Sequence, residues 1–518
     1  MTPLKNKLIF FGVALLVLLS SGIFACLDRM TGNVRYHQHL EQPGEAELSA
    51  REPRGGEGLC THLPIIRVDT GGKMIPGDAI INEEGLITGA RTGENGETEI
   101  LVSLSTIEGE GVWHREGDEA TLSSQALFHI RGNSSRAFSK HSYRIKLVED
   151  ANPEQNRDLP LLGMTANADW ALHGPFLDKT QLRNYMWMNI SAEVMGYAPN
   201  VRFCELILDG EYQGLYLLME TVSMDSGRVE LTDYREGDPV CSYILQMGSR
   251  RQPERTIDNF TFYTNRMEEG KQVEVVYPGL LSQTEQVKNY VRGDFSEIER
   301  MLYSNSMLDG SREYTRYLDV SSFVDYYILQ EFLAVNDAFS NSTFFYRDVR
   351  GKLCIGPVWD YNNVLNNFFT DIPAEGFILS QRGWYSRLMM DEAFVERVIS
   401  RYRQLRRGAL SDEYLLNYID ETIDWLGEAI DRNYEVWGYS FDASQLGLGE
   451  RRNPPVSEYS HSEKSRDELV AELNPASVEE AVAWMKDYLL RRGAWLDAHI
   501  DTLLQYCRSS KNAPRIIE

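Results

Sequence analysis

Residues 202–219 constrain the fold more than any other stretch. Two apolar runs, 202–208 and 212–219, flank Asp209-Gly210. An Asp-Gly pair between β-type runs signals a tight hairpin, because both central turn residues must accept positive φ. A hairpin this apolar has to be covered, so the flanking sequence must supply the cover. Upstream, residues 142–147 alternate as a strand, and residues 180–195 read as a helix ended by Gly196. Downstream, residues 281–303 and 320–334 carry helical periodicity. Strand-like 343–346 and 353–358 flank a turn at Arg350-Gly351. Residues 385–437 and about 477–505 read as helices, and 439–476 read as loop. Residues 75–130 alternate short strand-like runs with Gly-rich turns. The order predicts one large α+β unit after residue 60, with a β-rich section over 61–130 and a helical C-terminal part.

Composition sets bounds on function. The chain has 518 residues, 42% hydrophobic and 25% charged, which supports a sizeable core. A net charge of −25 repels nucleic acid and anionic membrane surfaces. A nucleotide site on such a protein needs a local basic pocket and a divalent metal. The first 26 residues read as an export signal. Lys5 and Lys7 precede an apolar run over 8–19, and small residues follow. Cys26 after Ala25 is the residue a lipid anchor would modify; simple cleavage nearby is the other outcome. The chain is therefore expected at the cell surface as a lipoprotein, or secreted. Residues 27–60 are polar and aperiodic and read as a flexible tether. The six Cys are widely spaced with no CxxC, which argues against structural zinc and leaves disulfide pairing open.

Two carboxylates stand out. Asp337 ends an apolar helical stretch, and Asp360 follows Gly356-Pro357-Val358-Trp359. The short β excursion between them can bring the two together. Such a pair serves phosphoryl transfer, one acid orienting a hydroxyl and the other holding magnesium. Both also suit turns that cap local backbone. Arg131-Gly132-Asn133-Ser134-Ser135 offers Gly and Ser backbone N–H groups to an anion, and Lys146 lies on the strand that follows. Lys146 either reaches phosphates or sits on a basic edge. Glu220 ends the apolar hairpin; it pairs with Lys146, faces a ligand or is an exposed strand end. GxSxG and HExxH are absent, so serine and zinc hydrolases lack their parts. A glycosidase needs only two carboxylates and stays open.

These blocks resemble the CotH (spore coat protein H) family. The resemblance is carried by residues 130–135, 142–147, Asp169-Trp170-Ala171-Leu172 and Asp178-Lys179-Thr180-Gln181-Leu182-Arg183-Asn184. It continues through Leu208-Asp209-Gly210-Glu211-Tyr212-Gln213-Gly214-Leu215-Tyr216, Asn336-Asp337 and 356–362. The resemblance implies a divergent protein-kinase-like fold that uses ATP with Mg or Mn to phosphorylate Ser on a protein substrate. It places an N-lobe at about 131–235 and a C-lobe at about 236–518. By the same likeness Asp337 is the catalytic acid and Asp360 the metal ligand, joined by Asn341 and Asn362. Lys146 is the phosphate lysine, with Arg131, Ser134 and Glu220 on the nucleotide side; Glu193 is a second candidate partner for Lys146. The sequence departs from the pattern at Ser342, where many members carry Asn, and at Asn362, where many carry Asp. Those departures keep a silent surface scaffold in play, and the aromatics a carbohydrate-binding module.

Overall fold

The structure is a computed structural model that describes residues 35–51, 58–83, 85–150, 152–249, 252–267, 271–307, 310–367, 371–451 and 464–508. The expected export signal and Cys26 lie outside these residues. Strands β1 (Ile65–Asp69), β2 (Ile100–Ile107), β3 (Leu122–Arg131), β4 (Ser142–Glu149), β5 (Asp169–His173), β6 (Val201–Leu208) and β7 (Glu211–Glu220) pair in the order β5-β7-β6-β1-β2-β3-β4. A further β4–β5 pairing closes the ring into a barrel-like sheet. All these pairs are antiparallel except β6 with β1. Closure removes the open edges that would otherwise template aggregation. The Asp209-Gly210 turn is as read, with φ of 51° and 80°.

Alternation along the strands separates two cores. Ile66, Val102, Phe128, Ile145, Trp170, Leu206 and Leu218 fill the barrel interior. On β5, β6 and β7 the other face is apolar too: Ala171, Phe203, Leu217 and Met219 belong to the larger core that the helices complete. That double burial is why 202–219 reads as continuously apolar rather than alternating.

The main helices are α1 (Glu45–Arg51), α2 (Arg183–Met195), α3 (Glu285–Leu302), α4 (Val320–Phe332), α5 (Glu392–Leu405), α6 (Asp412–Leu426), α7 (Glu428–Trp437) and α8 (Val478–His499). Helix α2 is buried over almost its whole surface and ends at left-handed Gly196 (φ 82°). Packed with the helices is a second sheet, β8 (Tyr243–Ser249), β9 (Thr256–Ile257), β10 (Lys271–Tyr277), β11 (Thr343–Arg347) and β12 (Cys354–Ile355), in the order β9-β10-β8-β11-β12. The α4 side chain Glu331 meets Arg492 of α8 at 2.9 Å, fully buried. The described residues from His37 to Arg508 form one compact unit. The chain is thus mixed α+β, with a β-rich N-terminal half and a helical C-terminal part.

Several expectations are corrected. The 61–130 section, read as the β-rich front of one unit, supplies β1, β2 and β3 of the barrel, and β3 runs through the boundary drawn at 130/131. Within the expected tether, His37, Gln38, His39, Glu45 and Leu48 are buried. The Gln38 amide exchanges hydrogen bonds with the Phe203 backbone at 2.8 and 3.2 Å, and Leu48 is buried. Isolated tertiary contacts of this kind leave no periodic trace. The strand expected over 353–358 stops at Ile355, because Gly356 and Pro357 follow. The 439–476 loop contains a helix, Arg466–Leu473, started by a Ser465–Glu468 capping box. Among the described residues, Cys204, Cys241, Cys354 and Cys507 are free thiols, and no helix is long and apolar enough to cross a membrane.

Candidate active site

Asp337 is set by the end of α4. The helix is started by Asp319, whose carboxylate accepts from Ser322 N at 2.9 Å, and stops past Leu333, where Ala334 takes a left-handed φ of 51°. The chain then turns tightly: Asp337 O accepts from Ser340 N and Asn341 N, both at 3.0 Å. Arg382 clamps the turn from both sides, donating to Asn336 O at 2.6 Å and Ala338 O at 2.9 Å. Phe339 packs so closely on Gly383 that a Cβ there would come within 2.2 Å of its ring. No larger residue fits.

Asp360 arrives by the β11–β12 excursion. Gly356 N bonds back to Phe344 O at 2.8 Å, and the chain returns beside its start. Leu365 N then bonds Leu333 O at 2.9 Å, which ties the Asp360 loop to the end of α4. Asn184, on α2, accepts from Tyr361 N at 2.8 Å, and Gln330 of α4 donates to the Tyr361 hydroxyl at 2.7 Å. Asp360 itself is exposed, in a left-handed conformation (φ 67°), and accepts from Ser342 Oγ at 3.4 Å. Positive-φ non-Gly residues cluster here at Ala334, Phe339, Ser342, Asp360, Leu365 and Asn366. Such conformations persist only where surrounding structure enforces them.

The two acids share an electrostatic environment. Burial first, and then the Asp360 charge, push the Asp337 carboxyl up to about 6; Lys271 and Arg382 oppose that rise. Lys271, at the start of β10, donates to Asn341 Oδ1 at 2.6 Å. The oxygen donors offered to a metal at Asp360 are its own exposed carboxylate and, two residues on, the side chain of half-buried Asn362; the Asn341 amide oxygen accepts from Lys271. A single carboxylate with neutral oxygens and water suits magnesium, which keeps several waters. Among the described residues no group of three or more His, Cys, Asp or Glu could hold a metal.

The remaining predicted residues divide. Arg131 is brought in: its guanidinium lies over the Trp359 ring at 5.5 Å, next to Asp360 in sequence. Ser134 begins a 3-10 turn just after Gly132, whose φ of 122° and 2.0 Å approach of a hypothetical Cβ to Ser135 Oγ admit only glycine. Lys146 is half-buried on the outer barrel face, opposite Asp169, and makes no hydrogen bond or ion pair among the described residues. Glu220 is not brought to it. Glu220 pairs with Trp170, one residue along from Asp169, so it projects from the opposite face. Its carboxylate accepts from Asn200 N at 2.8 Å and Asn200 Nδ2 at 3.1 Å. Glu193 meets His37 Nε2 at 2.8 Å and the Tyr414 hydroxyl.

Sequence reasoning missed Lys271 and Arg382. Lys271 lies on an alternating strand as Lys146 does, at its first residue rather than mid-strand, and nothing local marks either as a site residue. Only the second sheet's packing places it at the acid pair. No curated protein matches the chain. The family model described as CotH kinase protein matches residues 128–496, from within β3 almost to the end of α8. The match takes in Asp337, Asp360 and every element that positions them, and on it the chain belongs to the CotH kinase protein family.

Proposed function

We propose that the protein transfers the γ-phosphoryl group of ATP to a Ser hydroxyl of a protein substrate outside the cytoplasm. The observation that carries this reading is the convergence of Asp337 and Asp360, the first raised toward neutrality and the second exposed. In the step, the substrate oxygen bonds to the γ-phosphorus. The bond to the β,γ-bridging oxygen breaks, and its electron pair leaves on ADP. Asp337 orients the hydroxyl and takes its proton; a carboxyl near 6 is mostly ionised at pH 7, yet basic enough to accept. Asp360 and Asn362 would hold the metal, since Asn341 already directs its oxygen at Lys271. Bound magnesium supplies charge neutralisation on the phosphates. The strand-rich half before the acids and the helices after them suit a divergent kinase-like arrangement with the nucleotide between. The signal-like residues 1–26 support export or surface anchoring through Cys26.

Thermal melting with ATP and magnesium tests the reading. Wild-type protein gains melting temperature only when both are present, and Asp360→Ala loses that gain. Equal stabilisation of the variant removes Asp360 from the site. A silent scaffold is the second reading, favoured by Ser342 and by the engaged Asn341; it predicts no stabilisation of either protein.

A further inference from the structure

The block 178–184 ends in Arg183 and Asn184, the first two residues of α2. Both reach the 3-10 turn Tyr361–Asn363 that follows Asp360. Asn184 Oδ1 accepts from Tyr361 N, at the start of the turn, at 2.8 Å. Arg183 Nε donates to the carbonyl of Val364, the residue that closes the turn, at 3.0 Å. One end of α2 therefore holds both ends of the turn. That end is itself anchored. Asp178 accepts from Arg183 N at 2.8 Å and from Arg183 Nη1 at 2.5 Å, and Asp178, Arg183 and Asn184 are all buried.

Asp360 is the N-cap of this turn. An Asp at an N-cap ordinarily adopts an extended conformation and folds its carboxylate back onto the second or third N–H. Asp360 does neither: its φ and ψ are 67° and 55°, and its side chain makes no cap bond. Among the described residues its carboxylate accepts only from the Ser342 hydroxyl, at 3.4 Å. A left-handed conformation at a residue other than glycine persists only where its neighbours enforce it. The neighbour here is Asn184. The orientation of the peptide between Asp360 and Tyr361 sets ψ of Asp360, and Asn184 is bonded to the N–H of that peptide. Rotating the peptide toward the extended value takes the N–H off Asn184. Tyr361 is buried, so the abandoned donor would be costly.

We propose that Asn184 is a positioning residue for the metal. By accepting the Tyr361 N–H it keeps Asp360 left-handed, and the carboxylate stays out of the cap and exposed for a divalent cation. Arg183 steadies the far end of the turn, which carries Asn362. The proposal rests on the phosphotransfer reading, in which Asp360 and Asn362 are the oxygen donors. Losing an outer partner of this kind typically lowers metal affinity by about 10–100-fold.

The test is Mn2+ binding to the full-length protein with a non-hydrolysable ATP analogue present, read from the EPR signal of the protein-bound ion. Asn184→Ala weakens Mn2+ binding by about 10–100-fold. Asn184→Leu, similar in size but without an acceptor, carries the same expectation and leaves little cavity if the alanine variant fails to fold. Asn184→Asp keeps the acceptor in place and retains at least the wild-type affinity. Wild-type affinity in the alanine or leucine variant, with binding still lost in Asp360→Ala, overturns the proposal and leaves the phosphotransfer reading standing. Equal weakening in the leucine and aspartate variants also overturns it, because the acceptor is then irrelevant. No Mn2+ bound by the wild-type protein, or equal binding by Asp360→Ala, overturns both.

Discussion

Replacing Asp337 with Asn stabilises the protein while removing its chemistry. In the folded state burial and the Asp360 charge raise the carboxyl from 3.8 to about 6. The folded chain therefore holds this proton more tightly than the unfolded chain. Stability contributed by the group falls as pH rises from about 4 to 6, and the full penalty stands above that window. At about 1.4 kcal/mol per tenfold change in proton affinity, the penalty approaches about 3 kcal/mol. Residual solvent contact at Asp337 screens it, so about 1–3 kcal/mol is expected. Asn has the same shape without the charge. Urea unfolding of both proteins from pH 4 to 8 gives the comparison, with midpoints converted at a common slope. Asp337→Asn gains about 1–3 kcal/mol at pH 7.5, less below pH 6, and nothing near pH 4. A gain independent of pH, or a loss at pH 7.5, refutes the electrostatic argument.

Two further perturbations probe the scaffold. Arg492→Leu leaves the Glu331 carboxylate buried without its cation, although Ile378 N and Leu379 N still donate to it; calorimetry should register a loss of about 3–5 kcal/mol. Gly132→Ala forces a Cβ against Ser135 Oγ at a φ only glycine tolerates. It should cost about 1–3 kcal/mol and weaken nucleotide binding by titration calorimetry, while Gly163→Ala, a positive-φ position with open space around it, should leave nucleotide affinity alone.

Local signals were legible where local physics decides. The Asp-Gly turn, the Gly196 stop and the apolar face of α4 each fix structure within a few residues. The acid pair was not fixed by spacing alone, since both Asp suit capping turns; the family resemblance singled it out, and the Leu365–Leu333 bond ties the Asp360 loop to the end of α4. What sequence did not disclose is set by distant pairing. The parallel β1–β6 contact joins strands about 140 residues apart and turns an expected front section into part of a barrel. Glu220 and Lys146 sit on strands of correct type, but a single-residue difference in register sends them to opposite faces. Lys271 and Lys146 look alike in sequence, and only the packing of the second sheet distinguishes them.

Phosphate transfer is the most direct measurement. Protein lacking residues 1–26 is incubated with γ-labelled ATP, magnesium and a Ser-rich acceptor protein, alongside Asp337→Asn and Asp360→Ala. Label should reach acceptor Ser with the wild-type chain and with neither variant, while Asp337→Asn still gains thermal stability from Mg·ATP. Transfer by Asp337→Asn at the wild-type rate, or no transfer by wild-type protein that binds Mg·ATP, contradicts the role given to the two acids.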